Sequence, residues 1–323
     1  MQATKTRQER LKWNKSQLID TNTYIKVYTE TLCRLFAPAE RHRLYMISKL
    51  FTDGVSEAER DRYESSTHFF ARGEAYLEKI PDESALLKLL ILNIYDRSKS
   101  YYHYRTGDIG QAMRLIYNTL RNNSVLEKEG FPFLIFDRVS QYHNLSKLYF
   151  SLQERDKALE ILRQMVNFLA LGESSLLEGA DSDYLFSQEA YILEIRYSLL
   201  CQLLFETSGQ LLKTAEGPGN RPAGGAADGL STGGGFNAES KTFFSALLRP
   251  SGTLNFPAAM ADPLVNWLKV LTLFYTGDIA AFCESAEVYL QKGGSFYRNI
   301  PQDQMRLFLE RGQTLMHSIE DRH

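Results

Sequence analysis

Six histidines, three cysteines and a short acidic run carry the side chains with which this chain could hold a metal or attack a substrate, so their spacing is the first thing to weigh. His42, His68, His103, His143, His317 and His323 are scattered. His103 and His143 would meet only if their helices were neighbours, and neither has a cysteine or carboxylate at ligand spacing. Cys33, Cys201 and Cys283 are far apart and odd in number, without a CxxC pair, as in a reducing compartment where thiols serve as small core residues. "DSD" at 181–183 begins like a calcium loop, yet Phe186 stands where that loop needs glycine, so these residues are expected to open a helix. There is no HExxH, no GxSxG and no helical Glu-x-x-His pair. We therefore expect no catalytic residue, no metal site and no cofactor.

Tyrosine is the more suggestive chemistry. Tyr101, Tyr102 and Tyr104 flank His103, and Tyr142, Tyr149 and Phe150 follow some 40 residues on. Rings at this density grip a chain through apolar faces and hydroxyl hydrogen bonds, or simply pack with a wet hydroxyl.

The elements that position these groups are expected to be helical. Apolar residues recur at three- and four-residue spacing through successive segments, and hairpin signals of the Asn-Gly or Asp-Gly kind between alternating apolar residues are missing. The spacing predicts helices over about 23–36, 40–52, 56–79, 83–105, 109–122, 131–152, 155–170, 183–213, 238–248, 262–275, 278–292 and 301–318. Pro38 suits a first helical turn. "TDG" at 52–54 predicts a helix end, with Ser56 and Glu59 capping the next helix. The short connections predict antiparallel helical neighbours.

Residues 214–235 hold eight of the 21 glycines and one large aliphatic, Leu230, too little apolar surface to offset ordering, so a linker spanning about 25 Å is expected. The division follows: a helical region 1–213, a glycine-rich linker 214–237, and C-terminal hairpins 238–323. With 323 residues, 44% hydrophobic, the chain can bury a large core or two smaller ones. A net charge of −2 supplies no general attraction to nucleic acid or anionic membrane. The start is locally basic: Lys5, Arg7, Arg10, Lys12 and Lys15 against Glu9. No apolar signal segment follows it, and "LLKLLILNIY" at 86–95 is too short and polar to span a bilayer, so a cytoplasmic protein without membrane contact is expected.

Two segments repeat. "TGDI" occurs at 106–109 and at 276–279. In each, glycine can close one helix in the left-handed conformation and aspartate can cap the next. In "YHNLSKLYFSLQERDKALEILRQM" (142–165), bulky Tyr142, Leu145 and Tyr149 frame small Ser146, and Ala158 and Leu162 follow after a break. This pattern resembles the tetratricopeptide repeat, a helix–turn–helix unit whose small residues let its two helices cross closely. Met165 stands where that family prefers alanine. The first "TGDI" fits the same frame through Gly107, Ile109, Ala112 and Ile116, with Ser100 at the small position upstream but Lys99 where an apolar residue is expected. The second places bulky Phe282 at the crossing position, which predicts a wider crossing. The spacing of 46 residues from Ala112 to Ala158 exceeds one repeat, so either the helices are extended or "NNSVLEKEGFP" is inserted.

The resemblance implies an all-α, TPR-like α-α superhelix of antiparallel hairpins with irregular repeats, whose concave groove binds a protein or peptide. The residues it assigns to that groove are Tyr102, Arg105, Arg138, Gln141, Asn144 and Lys147. Two other functions stay open: a regulatory sensor for a small peptide or metabolite, and an enzyme on an unfamiliar helical scaffold.

Overall fold

The structure, a computed structural model, describes residues 21–81, 84–187, 189–215, 258–276, 278–291, 305–306, 308–310 and 312–313. Among these there is no strand. The helices are α1 (Thr21–Leu35), α2 (Pro38–Glu59), α3 (Tyr63–Leu77), α4 (Ala85–Thr106), α5 (Ile109–Lys128), α6 (Leu134–Ser151), α7 (Arg155–Leu171), one-turn α8 (Ser182–Leu185), α9 (Ala190–Ala215), α10 (Ala258–Thr276) and α11 (Ile279–Gln291). The basic N-terminal arm, the expected helix 238–248 and Gly277 lie outside the described residues, as do parts of 301–318. Of the glycine-rich segment only Thr214 and Ala215 are described, at the end of α9.

The chain divides into two compact units. One comprises Asp20–Met165 and Ser174–Ile192; the other takes Met1–Ile19, Val166–Glu173 and Leu193–His323, with divisions inside α7 and near the start of α9.

In the first unit, successive helices α2 through α6 pack as neighbours, and α2 also packs on α4. Their cores are one cluster running from Phe36 through Phe51, Phe70, Leu87 and Ile91 to Phe133, and a second built on Ala112, Ile116, Leu120, Leu145 and Leu148. The small residues singled out in the sequence are buried: Ser100, Ala112, Ser146 and Ala158. Lys99, the misfit, lies over the Phe70 ring at 4.5 Å and the Tyr102 ring at 5.1 Å, its ammonium 3.6 Å from Glu74. Its stem takes the apolar place and its charge stays compensated on aromatic faces.

One turn geometry recurs. A residue with left-handed backbone is followed by an N–H that donates five residues back: Asp61 then Arg62 to Glu57, Gly107 then Asp108 to His103, Gly130 then Phe131 to Leu126, and Gln153 then Glu154 to Tyr149. This closure takes up carbonyls that the last helical turn would leave free. In the second unit the Asp278 N–H donates to Leu273 in the same way. Both "TGDI" aspartates cap their helices, Asp108 accepting from the Gln111 N–H at 3.1 Å and Asp278 from the Ala281 N–H at 3.3 Å.

Two expectations need correction, and one left open is decided. The helix does not stop at "TDG": α2 runs on to Glu59 and breaks at 60–62. Gly54 sits inside that helix because the Phe70 ring fills the space beside it, where an added Cβ would come within 2.9 Å of the ring. The expected helix 183–213 is two helices, with the Asp181 carboxylate accepting from the Tyr184 N–H to cap α8. The extra length between Ala112 and Ala158 comes from α5 itself, which continues to Lys128.

In the second unit Phe282 is fully buried, 5.0 Å from the Phe274 ring. A Cβ at Gly312 would lie 2.8 Å from its edge. The space for the bulky ring at the crossing position is thus made by a glycine facing it. Tyr275 donates to the Ser208 carbonyl at 3.2 Å.

Candidate functional site

Helices α2 and α3 form an antiparallel hairpin whose register is set by two reciprocal contacts. Phe51 lies over Gly73 and Phe70 over Gly54, the two rings stacking at 6.1 Å between centroids. The buried face of α2 reads Leu44, Ile47, Phe51, Gly54 and Ala58, the spacing of a helix stripe. Tyr45 and Met46 lie off that stripe and are 64% and 49% exposed. On α3, Tyr76 likewise turns outward and is 51% exposed.

Between these outer faces runs an open cleft of about 600 Å³. Ile47, Leu50, Phe69 and Ile80 form an apolar floor, and Met46 and Tyr76 stand at its edge. Around them are His42, Arg43, Lys49, Arg72 and Lys79, with Asp53 as the only acid among the described residues that line it. Lys49 uses that acid, donating to both Asp53 oxygens at 3.1 Å. Lys79 lies 5.6 Å from the centre of the Tyr76 ring. Arg43 and Arg72 are exposed, and among the described residues neither has an anionic partner. The cleft is the size of an ordinary ligand site, with an apolar floor and an uncompensated cationic rim.

The six residues expected to line a groove stand elsewhere. Tyr102 and Arg105 are near the end of α4. The Tyr102 hydroxyl is 3.0 Å from that of Thr67, and its ring packs edge-on against Phe70. Arg105 donates to Asp61 at 2.6 Å and to the Tyr101 hydroxyl at 3.1 Å, while Tyr63 also donates to Asp61 at 2.6 Å. These bonds tie the α2–α3 turn to α4 and, with the Tyr63 hydroxyl as the larger cause, hold the Asp61 carboxyl below its ordinary range.

The other four lie on α6. Arg138 is buried and donates to Glu127 at 3.1 Å, their side chains only 7% and 10% exposed. Gln141 is buried, within 3.5 Å of Asp137 and of Asn144. Asn144 is exposed and Lys147 half-buried. Steps of three residues drift around a helix of 3.6 residues per turn, so 138 and 141 share the face of buried Leu134, Leu145 and Leu148 while 144 does not.

Beside this pair, polar side chains link α4, α5 and α6. Asn93 donates to Asn123 at 2.8 Å, Asn123 to Asp137 at 2.8 Å, and Arg97 to Asp137 at 3.0 Å. Burial pushes the Glu127 carboxyl up to about 7 against the pull of Arg138, and Asp96 up to about 6 against Arg121 and Arg114. His103 stands 3.4 Å from Asp108, and burial lowers its pKa against that carboxylate's attraction. His143 is buried. Among the described residues no group of three or more His, Cys, Asp or Glu could hold a metal, and no helix is long and apolar enough to cross a membrane.

No family model, no curated protein and no solved structure matches this chain. The cleft must therefore be weighed on its own chemistry. Sequence reasoning passed over it because Arg43 and Arg72 meet only through the hairpin register. The signal that could have found it is Met46, an apolar residue set apart from the periodic core stripe of α2.

Proposed function

We propose that this chain is a non-catalytic, TPR-like helical-hairpin protein of the cytoplasm that binds a segment of another protein in the α2–α3 cleft. The observation that carries this is the cleft itself, an apolar floor with outward Met46 and Tyr76 beside unpaired Arg43 and Arg72. An exposed apolar strip rimmed by charge along two helices suits a chain segment laid into a groove. The cytoplasmic setting is supported by three free cysteines, Cys33, Cys201 and Cys283. The Cys201 thiol, pushed up to about 12 by burial, suits a packing role.

The test is site-specific photo-crosslinking in cells, with benzoylphenylalanine at Met46 and, as control, at exposed Val288. A protein adduct reproducibly formed from position 46, absent from position 288, and mapped by mass spectrometry to one segment of one partner is the expected outcome. Equal labelling from both positions refutes binding at this cleft.

A further inference from the structure

Resting on that reading, we infer that the partner segment held in the α2–α3 cleft is acidic and amphipathic, laying apolar side chains on Met46, Leu50 and Phe69 and carboxylates against Arg43 and Arg72. Charge decides the occupant. Among the described residues the cleft lining carries Arg43, Lys49, Arg72 and Lys79 against Asp53 alone, and Lys49 already neutralises Asp53. The unpaired guanidiniums present forked donors that match carboxylates two at a time.

The floor between them decides the form. Arg43, Met46, Leu50 and Asp53 recur on α2, and Phe69, Arg72 and Tyr76 on α3, at the three- and four-residue steps of a single helix face, with Lys79 in the turn just past the end of α3. From Arg43 to Asp53 this face is about 15 Å long at the helical rise. That length matches about three turns of a partner helix presenting one apolar stripe with acids beside it. A free phosphate would leave the apolar floor uncovered. A nucleic acid would ask for a longer cationic track than two unpaired arginines, in a chain of net charge −2. The chain's own basic start, with Lys5, Arg7, Arg10, Lys12 and Lys15, carries the same sign of charge as this rim.

The experiment uses the full chain and a fluorescein-labelled, acetylated 14-residue peptide with leucines at helical i, i+3, i+4 and i+7 positions and glutamates between them. A second peptide has lysine at every glutamate. Anisotropy at low and high salt reads binding to the wild type, to Arg43→Glu/Arg72→Glu, and to the milder Arg43→Gln/Arg72→Gln. The acidic peptide is expected to bind the wild type, to weaken several-fold between 50 and 300 mM salt, and to lose about tenfold or more in both variants. The lysine peptide should bind only the glutamate variant. Absence of acidic-peptide binding at 100 µM, equal binding of both peptides, or affinity unchanged in both variants overturns the assignment. So does binding to phosphatidylserine vesicles in place of peptide. The crosslinking separates the two levels: a neutral or basic segment at Met46 sinks the acidic partner and leaves protein binding standing, whereas no specific adduct removes protein binding itself.

Discussion

The ring of Phe51 occupies the space that any side chain at Gly73 would need: a Cβ there would lie 2.8 Å from Phe51 Cδ1, closer than real contacts allow. Alanine in a helix interior normally gains about 1 kcal/mol over glycine. Overpacking a tight core costs about 1–3 kcal/mol, so Gly73→Ala should be net destabilising. Gly110, near the start of α5, has no atom within 4 Å of its Cβ position, and Gly110→Ala should stabilise or be neutral. Urea unfolding of both variants checks the opposite signs. Adding Phe51→Leu to Gly73→Ala should recover part of the loss, a non-additivity that only direct contact produces.

Gln153 holds a left-handed backbone with φ of 63°, a conformation in which side chains other than glycine's are strained. Gln153→Gly should stabilise by about 0.5–1 kcal/mol. Gly107, with φ of 85° and nothing near its Cβ position, should lose about 1–2 kcal/mol as alanine through backbone strain alone. Thermal unfolding midpoints report both.

Arg138 and Glu127 form a buried ion pair in which only one member can shed its charge. Glu127→Leu strands a guanidinium that stays charged, and should cost about 3–5 kcal/mol. Arg138→Met should cost less, because the Glu127 carboxyl, already pushed up to about 7, can take a proton instead. Its folded-state pKa would rise further above that of the wild type, so the penalty of Arg138→Met should stay level below about pH 6 and grow as pH rises through about 7 to 8. The double variant with both side chains apolar should recover most of the loss. Denaturant titrations at pH 6 and pH 8 test this ordering.

Asp96 is buried, and Asn122 Nδ2 donates to its carboxylate at 3.4 Å. Its folded pKa of about 6 lies above the ordinary carboxylate value near 4, so the folded state binds the extra proton between those values. Stability from this group therefore falls as pH rises through that window and stays lowered above it. Asp96→Asn should flatten the slope and raise stability at pH 8 by about 1–3 kcal/mol.

The helical architecture was legible wherever periodicity met a composition signal. Gly107 and Asp108 announced their turn because one residue type favours the left-handed backbone and the other caps. Asp61 and Gln153 make the same turn without glycine, and nothing local marks the first: the break at 60–62 fell inside an expected helix. Gly54 was misread because glycine serves helix ends and close approaches alike, and only Phe70, 16 positions on, distinguishes them. At Phe282 the sequence held both the bulky residue and its answering glycine, but their pairing is tertiary. The cleft suffered most. An expected stop at 52–54 cut the α2 stripe at its end, and residue type alone could not tell buried Arg138 from exposed Arg72.

The paired phenylalanines and glycines beneath the cleft also act as a gauge. Where a ring rests on a bare backbone the two helices come close, and sliding by a turn would take each ring off its glycine and against a side chain. The distance from Arg43 and Met46 on one rim to Arg72 and Tyr76 on the other is thus calibrated from inside. A methyl group added at Gly73, touching no ligand, would retune the span of the outer surface.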